Sequence, residues 1–367
     1  MNCEFHLPGT IRFGCGERRA LPGLLPPGNV LIVAGRHSKG RIEAELLPAL
    51  TGREVRLFTG IRPEPPLADV EQALAIGREL GAESVVGWGG GSAIDIAKAA
   101  AALLKRPGSV ADYFYGRRKI DGKGCFFAAL PTTAGTGAEI TSNAVLSDPE
   151  TGVKQSLRGE AMSADAAIVD PELTYDCPPG VTAASGFDAL TQAIESYLSR
   201  KANVAGEALA LQAARNVFDH LRRAVLAPAP SDRTAVAAGS MLAAMAFAQS
   251  GLGAVHGIGH PLGSICHVPH GTCCAVLLPT LLCWNLPACR EKMAYLAETL
   301  VRDTPEALIA SLEKLRRAVG LPENFRDYGL REEHFEFIVR NCRSGSMKTN
   351  PRDFSDEEVA MILKELA

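Results

Sequence analysis

The run GWGGGSAIDIAKAA, residues 87–100, constrains the fold more than any other part of the chain. A strand-like stretch at 84–88 (SVVGW) leads into three consecutive glycines, and the residues beyond them place Ile96, Ala97, Ala100, Leu103 and Leu104 on one helical face. A strand turns into a helix here over residues that carry no side chains. Gly89, Gly90 and Gly91 let backbone N–H groups approach an anion, and the helix N-terminus adds unpaired donors and partial positive charge. Gly90, Gly91 and Ser92 are therefore candidate holders of a phosphate. A tight connection with no ligand is the competing reading, because the spacing is not GxGxxG.

Further strand-like runs at 29–33 (NVLIV), 55–58 (VRLF) and 124–130 alternate with helical apolar spacing over 66–80 and 92–105. Such alternation predicts a parallel sheet covered on both faces. After Pro178 and Pro179 the pattern changes to long helical stretches over 183–198, 205–226 and 233–248, with 226–231 (LAPAPS) as an interhelical loop. The boundary is placed near residue 177, with an α/β domain over 1–177 and an all-α domain over 178–367. The chain has no repeat of fixed period and no low-complexity segment.

Bulk composition removes several function classes. With 367 residues, 47% hydrophobic and 22% charged, and a net charge of -3, the chain has no basic excess for nucleic acid. Its first residues, MNCEFHLPGTIRFG, lack a cationic stretch followed by an apolar run, and no uninterrupted apolar segment reaches the roughly 18 residues of a membrane helix. A cytoplasmic protein is expected. Ten cysteines are scattered without a CxxC framework and read mostly as buried thiols.

Three further stretches carry candidate chemistry. PTTAGTGAEIT (131–141) follows a strand and offers the hydroxyls of Thr132, Thr133 and Thr136, at the strand end where an open α/β sheet binds ligands; local turn bonding is the plain alternative. GFDALTQAIESY (186–197) puts Asp188, Gln192 and Glu195 on one helical face, or else is a helix cap with polar surface beyond it. SGLGAVHGIGHPLGSICHVPHG (250–271) holds four of the eight histidines. His256 and His260 are four apart, and Pro261 is expected to bend or end their helix and return the chain towards His270. With a carboxylate from elsewhere, these rings form a divalent-metal or catalytic constellation; His267 reads as an ordinary buried or surface residue.

Taken in order, GGGSAIDIAK (89–98), PTTAGTGAEIT, DPELT (170–174), GFDALTQAIESY, GLGAVHGIGHPLG from Gly251, PHG (269–271) and NPR (350–352) resemble the iron-containing (group III) alcohol dehydrogenases over nearly the whole chain. The likeness implies a dehydroquinate synthase-like fold, with a dinucleotide-binding N-terminal domain, a helical metal- and substrate-binding C-terminal domain, and a metal in the cleft between them. By the same likeness the ligands of Fe2+ or Zn2+ are Asp188, Gln192, His256 and His270, His260 lies beside nicotinamide and substrate as proton relay, and Asp95 and the three threonines line the cofactor channel. The likeness further implies that Lys154 reaches a ribose hydroxyl and that the molecule is a homodimer acting on a small alcohol or aldehyde.

Two positions depart from the family pattern. Gln192 stands where the family commonly has histidine, and an amide is a weaker, neutral donor for a transition metal. Gly35 stands where many relatives carry an aspartate that bonds the NAD ribose and repels a 2′-phosphate, while Arg36, His37, Ser38 and Lys39 beside it offer donors. NADP is favoured over NAD. The alternatives are a metal-independent maleylacetate reductase-like enzyme, a dehydroquinate synthase-like lyase, which would need basic residues near Asp188 or His256 that the sequence does not cluster there, and a nucleotide-binding protein without catalysis.

Overall fold

The computed structural model describes residues 5–367. The chain divides into two compact units, one formed by His6–Thr133 with Gly137–Tyr175, the other holding Ala134–Thr136 and Asp176–Ala367.

In the first unit the strands are β1 (Thr10–Phe13), β2 (Asn29–Ala34), β3 (Val55–Phe58), β4 (Ala82–Gly89), β5 (Phe126–Pro131), β6 (Asn143–Asp148), β7 (Val153–Arg158) and β8 (Ala166–Val169). Six of them form a parallel sheet in the order β1-β8-β5-β4-β2-β3, and β6 and β7 form a separate antiparallel hairpin. Strand β2 reads as an unbroken apolar run because both its faces are covered. Leu31 and Val33 pack with α1 (Leu67–Leu80) and α2 (Gly91–Leu103), whereas Val30, Ile32 and Ala34 pack with Leu21, Ile42 and Leu46 on the other side.

This strand order positions a ligand site. From β2 the chain moves outward to β3, then returns past β2 to β4 and onward through β5 to β8, so the winding reverses between β2 and β4. The crevice beyond the carboxyl ends of such a pair is where open α/β sheets bind ligands. Gly35 and Gly89 lie at those two ends, and the Gly35 N–H donates to the Trp88 carbonyl at 3.1 Å. A Cβ on Gly89 would come within 2.7 Å of Ala93 Cβ and 3.2 Å of Gly35 N, so only glycine allows this approach.

The sequence reading named four strands in this unit, and the structure adds β1, β8 and the β6–β7 hairpin. Strand β1 is a four-residue edge strand, mostly exposed, and β8 is four residues buried between two neighbours. Neither is long enough to show a period of its own; pairing creates them.

In the second unit the long helices are α3 (Pro179–Leu198), α4 (Val204–Leu226), α5 (Pro230–Ser250), α6 (Ala254–Cys266), α7 (His270–Thr299), α8 (Pro305–Ala318), α9 (Glu332–Asn341) and α10 (Asp356–Leu366). Helix α3 starts on Pro179, whose fixed φ suits the first turn, and is wrapped by α4, α5 and α7. It is buried nearly all round from Gly186 to Leu198, polar residues included. Of the two outcomes expected at Pro261, a bend or an end, the end does not occur. Helix α6 runs through it to Cys266, and the chain turns at His267, in the left-handed region with φ 53. Ile258, Leu262 and Cys266, on both sides of the proline, are all buried in one core, and that burial outweighs the hydrogen bond the proline removes.

Helix α7 is long and apolar enough to cross a membrane, yet 67% of its most apolar stretch is buried inside the helical unit, the placement of a core helix. Among the described cysteines none forms a disulfide; Cys125, Cys266, Cys273, Cys274 and Cys342 are buried thiols.

Candidate active site

Asp188, Gln192 and Glu195 lie buried on one face of α3, where an ionised carboxylate without partners would be very costly. Glu195 finds two partners on α6. Its Oε1 accepts the Val255 N–H at 2.7 Å and its Oε2 lies 2.6 Å from His256 Nδ1. The carboxylate thus caps a helix N-terminus, where negative charge is favoured, while Asn350 Oδ1 accepts the neighbouring Ala254 N–H at 3.1 Å. Gly253 makes room for this, since a Cβ there would stand 2.6 Å from Glu195 Oε1.

A carboxylate only accepts, so Nδ1 of His256 donates, and Nε2 is turned towards Asp188 Oδ1, 3.3 Å away. Carboxylate support of the far ring nitrogen is the usual way a ligating histidine is oriented. His270 opens α7 directly after Pro269, with its Nε2 3.6 Å from Asp188 Oδ1. One turn later on the same face, Cys274 Sγ lies 3.7 Å from that oxygen, 3.7 Å from His270 Nε2 and 4.0 Å from His256 Nε2. One donor atom each from Asp188, His256, His270 and Cys274 lie within 4.8 Å of one another.

This donor set fits a divalent transition ion. Two imidazoles, a carboxylate and a sulfur converge in a buried space, the chemistry that zinc and iron sites employ. Burial works against the charged form of His256, but Cys274, Glu195 and Asp188 raise its pKa well above the usual histidine value. Burial likewise works against ionised Asp188, but His270 and His256 hold its pKa below the usual carboxylate range. Burial pushes the Cys274 thiol up to about 12. The site is built around a carboxylate that demands positive charge beside it.

Gln192 stands next to this cluster. Its Nε2 donates to Asp188 Oδ1 at 3.0 Å, and its Oε1 is buried without a hydrogen-bond partner. His260, one turn beyond His256, lies outside the four-atom cluster; its ring stacks on His270 at 4.9 Å and 11° and stands 6.1 Å from the His256 ring. His267 is the exposed residue that ends α6.

The glycine of PHG explains how His270 reaches Asp188. A Cβ on Gly271 would fall 2.1 Å from the Ala184 carbonyl oxygen, so α7 begins in backbone contact with α3. Gly271→Ala is expected to push the helices apart, cost about 1–3 kcal/mol of stability, and lower metal retention. Denaturant unfolding alongside elemental analysis checks it; an unchanged midpoint with full metal content would show that the contact does not position His270.

The α/β unit carries the other candidates. Gly90 precedes α2, whose N-terminus has no side-chain cap, and a Cβ on Gly90 would meet no protein atom closer than 3.5 Å. Gly91 and Ser92 begin the helix, so its first N–H groups are available to an anion. The Thr132 N–H donates to the Gly89 carbonyl at 2.9 Å, and Thr133 lies beside Gly90. Thr136 belongs to Ala134–Thr136, the short segment that groups with the helical unit. Asp95 accepts the Val145 N–H at 3.1 Å; burial pushes its carboxyl up to about 6 against the pull of Lys98. A Cβ on Gly35 would meet nothing within 4 Å, and Arg36, His37 and Lys39 after it are exposed, with Ser38 half-buried. Lys154 pairs with Glu64 at 2.6 Å.

Sequence reasoning put Glu195 on the face of Asp188 and Gln192 without giving it a role, and left Cys274 out of the site. Spacing signals existed for both. Glu195 follows Asp188 by seven residues and Cys274 follows His270 by four, the intervals of one helical face.

Family models for iron-containing alcohol dehydrogenase and for the C-terminal part of the Fe-containing alcohol dehydrogenase family match residues 8–171 and 182–367. The chain belongs to the iron-containing alcohol dehydrogenase family. Long-chain-alcohol dehydrogenase 1 of Geobacillus thermodenitrificans is 39% identical over 302 residues, 79% of this chain and 76% of that protein. The 1,3-propanediol dehydrogenase of Klebsiella pneumoniae is 35% identical over 324 residues, covering 86% and 84%. Among solved structures, the sulfoacetaldehyde reductase from Bifidobacterium kashiwanohense in complex with NAD+ superposes with a TM-score of 0.94 at 31% identity, over 100% of this chain and 99% of that one. This iron-containing alcohol dehydrogenase is accordingly an NAD(P)-dependent oxidoreductase acting on CH–OH groups.

Proposed function

We propose that this chain interconverts a small alcohol and its aldehyde with NADP(H) in preference to NAD(H), assisted by a divalent ion that Asp188, His256 and His270 hold, with Gln192 against them. One observation carries the metal part: the buried convergence of donor atoms within 4.8 Å. When bound, the ion supplies Lewis acidity at the substrate oxygen and the nicotinamide exchanges the hydride. Glu195 keeps Nε2 of His256 facing inward by accepting from Nδ1. His260, stacked on His270, is assigned to move the hydroxyl proton through its imidazole. Gly90, Gly91 and Ser92 hold the pyrophosphate with the N–H groups that open α2, and Thr132, Thr133, Thr136, Asp95 and Lys154 serve the rest of the cofactor. In this reading residues 1–177 bind the dinucleotide and 178–367 the metal and substrate, in a cytoplasmic homodimer; sedimentation of the purified chain tests the dimer.

The cofactor preference rests on Gly35, where no carboxylate opposes a 2′-phosphate and the exposed Arg36 and Lys39 follow. Steady-state oxidation of NADPH with an aldehyde panel, run beside elemental analysis, tests the whole assignment. Full activity in protein without metal would favour the metal-independent reductase, for which Gln192 is the supporting observation.

His260→Ala separates proton transfer from metal holding. Turnover is expected to fall by about 10²–10⁴-fold, the range for a positioned general acid or base, with metal content unchanged. Loss of the metal together with activity would move His260 into the ligand set.

A further inference from the structure

The ligands proposed above, Asp188, His256 and His270 with Gln192 against them, include no sulfur, yet a thiol is packed among their donor atoms. Cys274 lies one turn along α7 from His270, and its Sγ has Asp188 Oδ1, His270 Nε2 and His256 Nε2 around it at 3.7, 3.7 and 4.0 Å. A cysteine that merely fills a core is surrounded by carbon. Its neighbour Cys273 gives the contrast: that thiol is equally buried but points to the Val268 carbonyl at 3.8 Å.

The separations can be compared with those an ion would impose. Nitrogen and oxygen donors sit about 2.0–2.1 Å, and sulfur about 2.3 Å, from a tetrahedral zinc, which sets the donors roughly 3.3 Å apart without sulfur and roughly 3.5 Å apart with it. Asp188 Oδ1 lies 3.3 Å from His256 Nε2 and 3.6 Å from His270 Nε2. Five of the six separations exceed the tetrahedral edges by no more than about half an ångström, and the sixth, between the two histidine donor atoms, lies within 4.8 Å. Gln192 is already committed, because its NH2 end meets the Asp188 carboxylate at 3.0 Å and reversing the amide would oppose two oxygens.

We propose that Cys274 Sγ is the fourth protein ligand of the divalent ion, giving an Asp–His–His–Cys site that selects zinc over ferrous iron. This rests on the metal-assisted reading above and replaces Gln192 in the ligand set. Gln192 becomes a positioning residue that holds the Asp188 carboxylate. The softness of sulfur decides the selectivity, since thiolate favours zinc more than the harder amide oxygen does.

Cobalt(II) loaded into the full-length protein supplies the test, with bound cobalt measured by elemental analysis. The wild type is expected to show sulfur-to-cobalt charge-transfer absorption in the near ultraviolet beside the visible bands of the bound ion. Cys274→Ser and Cys274→Ala should lose the charge-transfer band and bind zinc about tenfold or more weakly, with the zinc-to-iron preference falling in step. Cys273→Ser should retain everything. X-ray absorption of the zinc-loaded wild type should show a sulfur scatterer at about 2.3 Å, a readout that depends on no variant folding. Stoichiometric cobalt without the charge-transfer band, or a band that survives both Cys274 variants, would overturn the cysteine ligand and leave the metal reading standing. A wild type that binds no cobalt and no zinc would overturn both.

Discussion

His256→Ala is expected to remove the bound metal and the activity together. The ring is buried, with one nitrogen committed to Glu195 and the other turned into the donor cluster. Alanine therefore deletes an interior ligand and leaves the Glu195 carboxylate with the Val255 N–H but without its imidazole. Metal content should fall from stoichiometric to undetectable after dialysis, and kcat/KM by at least about 10²–10³-fold, the loss that follows removal of a principal stabiliser of developing negative charge. His270→Ala should behave alike, and chelation of the wild type should reproduce both losses reversibly. Circular dichroism of the variants separates an empty site from an unfolded helix bundle. Wild-type protein that is fully active with no detectable metal would sink the mechanism.

Gly35→Asp is expected to reverse the cofactor preference. Gly35 has ordinary backbone angles, φ -59 and ψ 142, and open space where a Cβ would go, so an aspartate fits without strain. Its carboxylate would bond ribose hydroxyls in NADH and oppose the 2′-phosphate of NADPH. Like charges brought together at a binding surface cost several kcal/mol, and each 1.4 kcal/mol is tenfold, so the ratio of kcat/KM for NADPH over NADH should fall by about 10²-fold. Because the change touches no part of the donor cluster, metal content should stay constant. A wild type that prefers NADH by tenfold or more would contradict the assignment of this loop.

How much could be read in advance depended on whether the signal was local. The strand-to-helix passage at residues 87–100 was legible because each part acts within a few residues: an apolar strand, glycines that admit a backbone approach, and an amphipathic helix. Of the two neighbours that hold residue 89 to glycine, Ala93 is local, whereas the Gly35 backbone follows another strand and shows only once β2 and β4 are paired. Pro261 shows the opposite failure. Its local rule ends a helix, and burial of Ile258, Leu262 and Cys266 overrides the rule.

By itself the sequence determined the succession of an alternating α/β half and a helical half, the uncapped glycine turn that opens α2, and the histidines four apart on α6, since periodicity and backbone freedom are properties of neighbouring residues. Which donors meet was decided only by tertiary structure. Asp188, His256 and His270 come from three helices, and they converge because Gly271 lets α7 close on the α3 backbone and Gly253 leaves room for the Glu195 carboxylate against α6. The same packing turns Cys274 from one buried thiol among several into a group with three donor atoms around it. It also turns Glu195 from a polar residue on a helical face into the cap of α6 and the support of His256. Each role needs a contact 60 residues or more away along the chain, Glu195 with Val255 and Cys274 with Asp188, which the spacing of neighbouring residues does not encode.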